Sequence, residues 1–185
     1  MNCHFGTRLL NENGDWKTQT DMMNSVSDIS CVSGQMPRIV GLAYASKLYR
    51  NNKNLSDMEN FSINGNEVVF GTIGDASTSE GHFWEAINAC GVLQVPLIMS
   101  IWDDGYGISV PSEYHTTRND LSKALSGFQR SSKKENGYEI FTVHAWDYIN
   151  LLKTYQKAEK LAREDHVPCI IHVKDVTQPQ GHTTS

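Results

Sequence analysis

Apolar runs and helical periodicities alternate along most of this chain. Residues 67–73 (Glu-Val-Val-Phe-Gly-Thr-Ile) are β-branched and apolar, which predicts a strand covered on both faces and ended by a turn at Gly74. Residues 80–90 follow with helical spacing, and residues 97–101 (Leu-Ile-Met-Ser-Ile) read as a second strand. Residues 137–143 predict a third strand. Residues 148–165 predict a helix capped by Asp147, with Leu151, Leu152, Tyr155, Ala158 and Leu161 on its apolar face. Residues 168–173 predict a fourth strand that closes the sheet. Upstream, residues 37–51 predict a helix with Pro37 in its first turn and Ile39, Val40, Leu42, Ala43 and Leu48 on its apolar side. Residues 51–56 read as a linker, Asn64-Gly65 as a turn, and residues 113–137 as a polar stretch with weak helix around 120–128. Strand and helix in alternation predict an α/β fold, a parallel sheet flanked by helices.

Two of the predicted strands run into carboxylates. Gly74-Asp75-Ala76-Ser77 follows the first, and Trp102-Asp103-Asp104-Gly105-Tyr106 follows the second. In a parallel α/β sheet both exits open on one edge, where ligands bind. Mg²⁺ takes one or two carboxylates together with phosphate oxygens and water, so Asp75 and Asp104, with a backbone carbonyl at Tyr106, form a candidate metal and phosphate site. Small residues after Asp75 let a ligand approach the backbone, and the N–H groups at the next helix start favour phosphate. Asp beside Gly is also ordinary turn chemistry. The chain has no phosphate-loop Lys signature and no Gly-x-Gly-x-x-Gly run.

Gly74-Asp75, some two dozen residues and then a polar pair resemble the thiamine diphosphate motif. Asp103-Asp104 stands where that motif usually has Asn-Asn. Residues 74–88 and 103–109, Gln35-Met36-Pro37 with Gly41, and Gly181-His182-Thr183-Thr184-Ser185 resemble the alpha-type part of 2-oxo acid dehydrogenases. The branched-chain, 2-oxoisovalerate type is closest, including forms with alpha and beta parts fused. The resemblance implies thiamine diphosphate and Mg²⁺ as cofactors. Asp75, Asp104 and the Tyr106 carbonyl would ligate the metal, and Gly74, Ala76 and Ser77 would line the diphosphate. Ile108 would pack near the middle of the cofactor, and the Ser30 and Val32 backbone would meet its aminopyrimidine. His182 is the catalytic candidate, over the cofactor in the acyl transfer to lipoyl-lysine. Trp102 stands where relatives often carry Arg, and Cys31 reads as a packing residue. The resemblance also implies two protein partners: a beta-type, pyrimidine-binding subunit or domain that supplies the activating Glu, and a lipoyl acyltransferase. A 2-oxo acid would be the substrate.

At 185 residues the chain suits one domain with a sizeable core. Residues 1–29 read as an irregular lead-in and 30–185 as the cofactor-binding domain, with both ends looking cut. The net charge of −5 and the absence of a basic stripe disfavour nucleic acid, and no apolar run is long enough to span a membrane. Four cysteines without Cys-x-x-Cys spacing suggest buried thiols in a reducing compartment. The bacterial cytoplasm, or the mitochondrial matrix in a eukaryote, is the expected location. His82, His115, His144, His166 and His172 read as packing or surface residues. Two other readings share the motif: a transketolase-like or deoxyxylulose-phosphate synthase-like enzyme, and a scaffold domain with a degenerate site.

Overall fold

The computed structural model describes residues 6–27 and 29–178. Helix α1 spans Met36–Asn51, strand β1 Val69–Gly74, α2 Gly81–Leu93 and β2 Leu97–Trp102. A small hairpin follows, β3 Tyr106–Gly107 and β4 Val110–Pro111, then α3 Leu121–Ala124, β5 Glu139–His144, α4 Tyr148–Asp165 and β6 Cys169–Lys174. The four long strands form one parallel sheet in the order β1-β2-β6-β5. The α/β expectation therefore holds.

Several local expectations need correction. β6 is an interior strand between β2 and β5, so it does not close the sheet. Gly74, paired with Trp102, is the last residue of β1, and the turn expected there begins at Asp75. β1 lies at the sheet edge with only one face covered. Gly71 and Ile73 are buried while Phe70 is 54% exposed, because α4 packs across β5, β6 and β2 and stops short of β1. The buried stripe of α1 is Met36, Ile39, Ala43 and Ser46, narrower than the apolar count suggested, and Leu42 and Leu48 are exposed. Leu152 of α4 is exposed as well. The hairpin β3–β4 was not foreseen, since two-residue strands carry no periodicity.

Strand alternation builds two apolar layers. Leu97, Met99 and Ile101 of β2 join α1, α2 and α3 in one layer, with Phe83, Ile87 and Leu121. Ile98 of β2 joins Cys169, Ile171 and Val173 of β6 under Ala158 and Ala162 of α4 in the other. Fully buried Tyr138 enters the first layer with its hydroxyl donating to the Ile87 carbonyl at 2.8 Å. The expected Asp147 cap is present, its carboxylate accepting from the Asn150 N–H at 3.2 Å.

Opposite the strand ends, α1 and the end of α4 are tied through backbone carbonyls. Arg50 donates to Gly65 (2.9 Å), Arg163 (2.7 Å) and Glu164 (3.1 Å) carbonyls. Lys47 donates to the Leu93 carbonyl and Arg163 to that of Asn66. His166 Nε2 lies 2.9 Å from the Gly65 carbonyl. No helix among the described residues is long and apolar enough to cross a membrane.

Candidate functional site

The parallel register brings the ends of β1, β2 and β6 level, with Gly74 beside Trp102 and Trp102 beside Val173. The ladder continues one residue further. Asp75 N–H donates to the Trp102 carbonyl at 3.1 Å, and Asp103 N–H donates to the Val173 carbonyl at 2.9 Å. The segments after these strands therefore open on one edge, as the topology demands.

A cavity of about 740 Å³ lies there. Its wall includes all nine described residues expected at the cofactor: Ser30, Val32, Gly74, Asp75, Ala76, Ser77, Asp104, Tyr106 and Ile108. His182 lies outside the described residues. Trp102, Thr72 and Gln35 complete much of the rest, and no Lys, Arg or His is among the described lining residues.

Asp75 is the buried acid of this wall, 3% exposed. Its backbone carbonyl accepts from the Thr78 hydroxyl (2.6 Å) and N–H (3.1 Å). Its Oδ2 is buried without a hydrogen-bond partner among the described residues. Burial, with repulsion from Asp103 and then Asp104, pushes its carboxyl up to about 7. Such an oxygen could take a cation or a proton, because an orphaned buried carboxylate is costly.

The Asp-Asp pair divides its labour. Asp104 faces the cavity, with Oδ1 accepting from the Tyr106 N–H at 3.0 Å. Asp103 is not a lining residue. Its Oδ1 accepts from the Gly105 N–H at 2.9 Å, and its Oδ2 lies 2.7 Å from Nε2 of His172, which is fully buried. Burial raises the Asp103 carboxyl, but the His172 hydrogen bond and charge outweigh it and leave the group below its ordinary range. His172 was read from sequence as a packing or surface residue. It is buried, but its role is polar, and only the pairing of β6 with β2 reveals it.

The loops around the cavity are pinned to one another. Ser33, buried at a positive φ of 58°, donates from its hydroxyl to the Ser77 carbonyl at 2.8 Å. This bond joins the segment of Ser30 and Val32 to the one after Asp75. Gly107 lies so close to that segment that a Cβ on it would fall 2.8 Å from the Ala76 Cβ. Cys31 is exposed and lines the cavity, which corrects its reading as a packing residue; Cys90 and Cys169 are buried as expected. Trp102, 52% exposed, donates its indole N–H to the Ser100 hydroxyl at 2.9 Å and leaves its ring toward the cavity.

Ile108 stands at φ 59°, a conformation that a β-branched residue adopts only under strain. It is 57% exposed, so its own packing does not explain the conformation. Ile108→Asn should relieve the strain, because Asn tolerates the left-handed region, and stabilise the chain by about 1 kcal/mol. A melting temperature 2–4 °C higher is the expected reading, and an unchanged or lower one would mean that the loop carries no strain.

Sequence comparison adds the lineage of this architecture. The profile of the dehydrogenase E1 component family matches residues 6–185. The alpha subunit of 2-oxoisovalerate dehydrogenase from Bacillus subtilis is 27% identical over 146 residues, 79% of this chain and 38% of the relative. Its mitochondrial counterpart from Caenorhabditis elegans is 30% identical over 182 residues, 98% of this chain and 34% of the relative. The chain thus spans less than two fifths of the length of these relatives. Transketolase from Campylobacter jejuni superposes with a TM-score of 0.58 at 18% identity, over 80% of this chain and 20% of that one. That likeness shows a shared fold, a parallel sheet flanked by helices, over most of this chain.

Proposed function

The chain belongs to the dehydrogenase E1 component family, and from that premise we propose that its cavity holds the diphosphate end of Mg-thiamine diphosphate in a 2-oxo acid dehydrogenase. The observation that carries this reading is the orphaned Asp75 oxygen, buried in the wall that also presents Asp104. Mg²⁺ asks for no more than one or two protein carboxylates, leaving positions for phosphate oxygens, water and a carbonyl such as that of Tyr106. The donor set is all oxygen, which suits a hard cation. Backbone groups of Gly74, Ala76 and Ser77 would approach the diphosphate, and the segment of Ser30 and Val32 the aminopyrimidine. Ile108 would support the middle of the cofactor.

When bound, thiamine diphosphate supplies the carbanion chemistry that decarboxylates a 2-oxo acid. This chain's residues bind and orient the cofactor's anionic end. Among the described residues the wall carries Asp75 and Asp104 and no basic side chain, so a metal ion would be what neutralises the phosphates there. The branched-chain type of substrate is supported by the named relatives at low identity. His182 would act over the cofactor in acyl transfer to the lipoyl-lysine of an acyltransferase. The activating Glu would come from a beta-type, pyrimidine-binding part, with the assembly in the bacterial cytoplasm or the mitochondrial matrix. On this reading the 185-residue chain alone is inactive; robust decarboxylation by the purified chain would refute that point.

The test is calorimetric titration of thiamine diphosphate with Mg²⁺ into the complete protein, beside this chain and an Asp75→Ala variant. Binding by the complete protein that vanishes with EDTA and with Asp75→Ala is expected, with little or none by the chain alone. Absence of binding by the complete protein would favour the scaffold reading. Sugar transfer without lipoyl acylation would favour the transketolase-like one.

A further inference from the structure

Beneath the Asp103-Asp104 loop, away from the cavity lining, runs a polar chain centred on buried His172. Asp103 Oδ2 meets His172 Nε2 at 2.7 Å, and His172 Nδ1 meets the Ser122 hydroxyl of α3 at 2.6 Å. That hydroxyl lies 2.8 Å from the Thr142 hydroxyl of β5. The imidazole serves in either protonation state. Neutral, it donates from Nε2 to Asp103 and accepts from Ser122; as a cation it donates to both.

Strand alternation explains why the two acids part. Ile101 pairs in register with His172, and Asp103, two residues on, leaves β2 on the same face. Trp102 and Asp104 leave on the other and line the cavity. Lys174, two residues past His172, gives its ammonium to Asp120 at 3.2 Å. His172 is therefore the side-chain hydrogen-bond partner of Asp103. Without it the partly buried Asp103 carboxylate, which also feels the Lys174 charge, would lose its side-chain hydrogen bond and be free to turn toward the cavity side of the loop. A second free carboxylate there would oppose a diphosphate.

Resting on the reading of the cavity as a Mg-diphosphate site, we infer that His172 is a positioning residue: it keeps Asp103 folded under the loop, so that a single acid of the pair, Asp104, meets the metal and its phosphates. An Asp-Asp pair thus serves where the related motif carries amides.

The test is calorimetry on the complete protein at fixed Mg²⁺, with thiamine diphosphate as the probe. It compares wild type, Asp75→Asn, Asp103→Asn, His172→Leu and the His172→Leu/Asp103→Asn double variant, with a melting curve for each. His172→Leu should weaken binding about tenfold or more, a change well outside titration error. Asp103→Asn should stay within about fivefold of wild type, because its charge is already turned inward. The double variant should regain most of the affinity while its melting temperature stays low, a split that a merely structural role would not give. Unchanged affinity in His172→Leu, or no recovery in the double variant, would overturn the inference while leaving the cofactor site standing. If His172→Leu does not fold, Asp103→Asn decides: tightening by about tenfold would show that the Asp103 charge already repels the diphosphate and sink the idea. A wild type that fails to bind, or binds without needing Asp75, overturns the site reading and this inference together.

Discussion

Asp75→Asn should make this chain more stable and, in the complete protein, abolish metal-dependent cofactor binding. The two effects have one cause. In the absence of metal the Asp75 carboxyl is 3% exposed, one oxygen has no partner, and Asp103 and Asp104 repel its charge. Its folded value of about 7 lies above the unfolded 3.8, so between these pH values the folded chain binds more protons than the unfolded one. The stability this proton provides is complete below pH 3.8 and is lost as pH rises through about 7. An amide does not ionise. The advantage of Asp75→Asn should therefore be near zero at pH 4, open between pH 4 and 7, and level off above, at roughly 2 kcal/mol once a partner for the amide is found. For a chain of this size that is about 4–8 °C in melting temperature at pH 8. Denaturant unfolding of both chains at pH 4 and pH 8, in EDTA, checks it. A variant that is less stable at pH 8 would show that the buried oxygen is already satisfied and remove the main argument for a cation there.

Gly65→Ala should be the more damaging change for the fold, although it lies at the far end of β1 from the cavity. Gly65 holds φ 65°, and a Cβ there would fall 2.3 Å from the Ser46 carbonyl oxygen and 2.7 Å from the Arg50 nitrogen. Both are backbone atoms of α1, which cannot yield without moving the helix. The same residue donates its N–H to the Ser62 hydroxyl at 2.9 Å and offers its carbonyl to Arg50 and His166. Losing that junction should cost about 3–5 kcal/mol, or roughly 10 °C in melting temperature. Neighbouring Asn64, at φ 54°, supplies the control: Asn64→Gly should be neutral or mildly stabilising. A cost below about 1 kcal/mol for Gly65→Ala would mean that α1 is not held by this turn.

The parts of the molecule that were legible in its sequence are those written in short-range pattern. Strands β1, β2, β5 and β6 are apolar or β-branched runs, and α4 carries its cap at Asp147. The cavity wall was legible too, because Asp75 and Asp104 each sit one or two residues past a strand end, and a parallel sheet brings such positions together. What stayed hidden depends on strand order and register. Nothing local to residues 168–173 says that β6 inserts beside β2, and only that insertion brings His172 to Asp103. The open face of β1 was hidden for the same reason: Phe70 looks like a core residue until α4 is seen to stop short of it. The exposure of Leu42, Leu48 and Leu152 reflects helices that bury narrow stripes. Cys31 misled because exposure of a small apolar residue in a loop has no sequence signature.

Arg50 and Lys47 of α1 reach for backbone carbonyl oxygens of the Gly65 turn, α4 and the end of α2. Interactions of a charge with a dipole fall off quickly and lie within a distance that dissolved ions hardly screen. Protonation does not touch the Arg50 contacts either, since neither a guanidinium nor an amide oxygen titrates between pH 4 and 9. The Arg50 contacts at the corner opposite the cavity are thus little affected by salt or acid, while the carboxylate edge responds to both. The end of the sheet where a charged ligand would arrive is the one that senses the ionic medium through its carboxylates, and the Arg50 contacts anchor the other end.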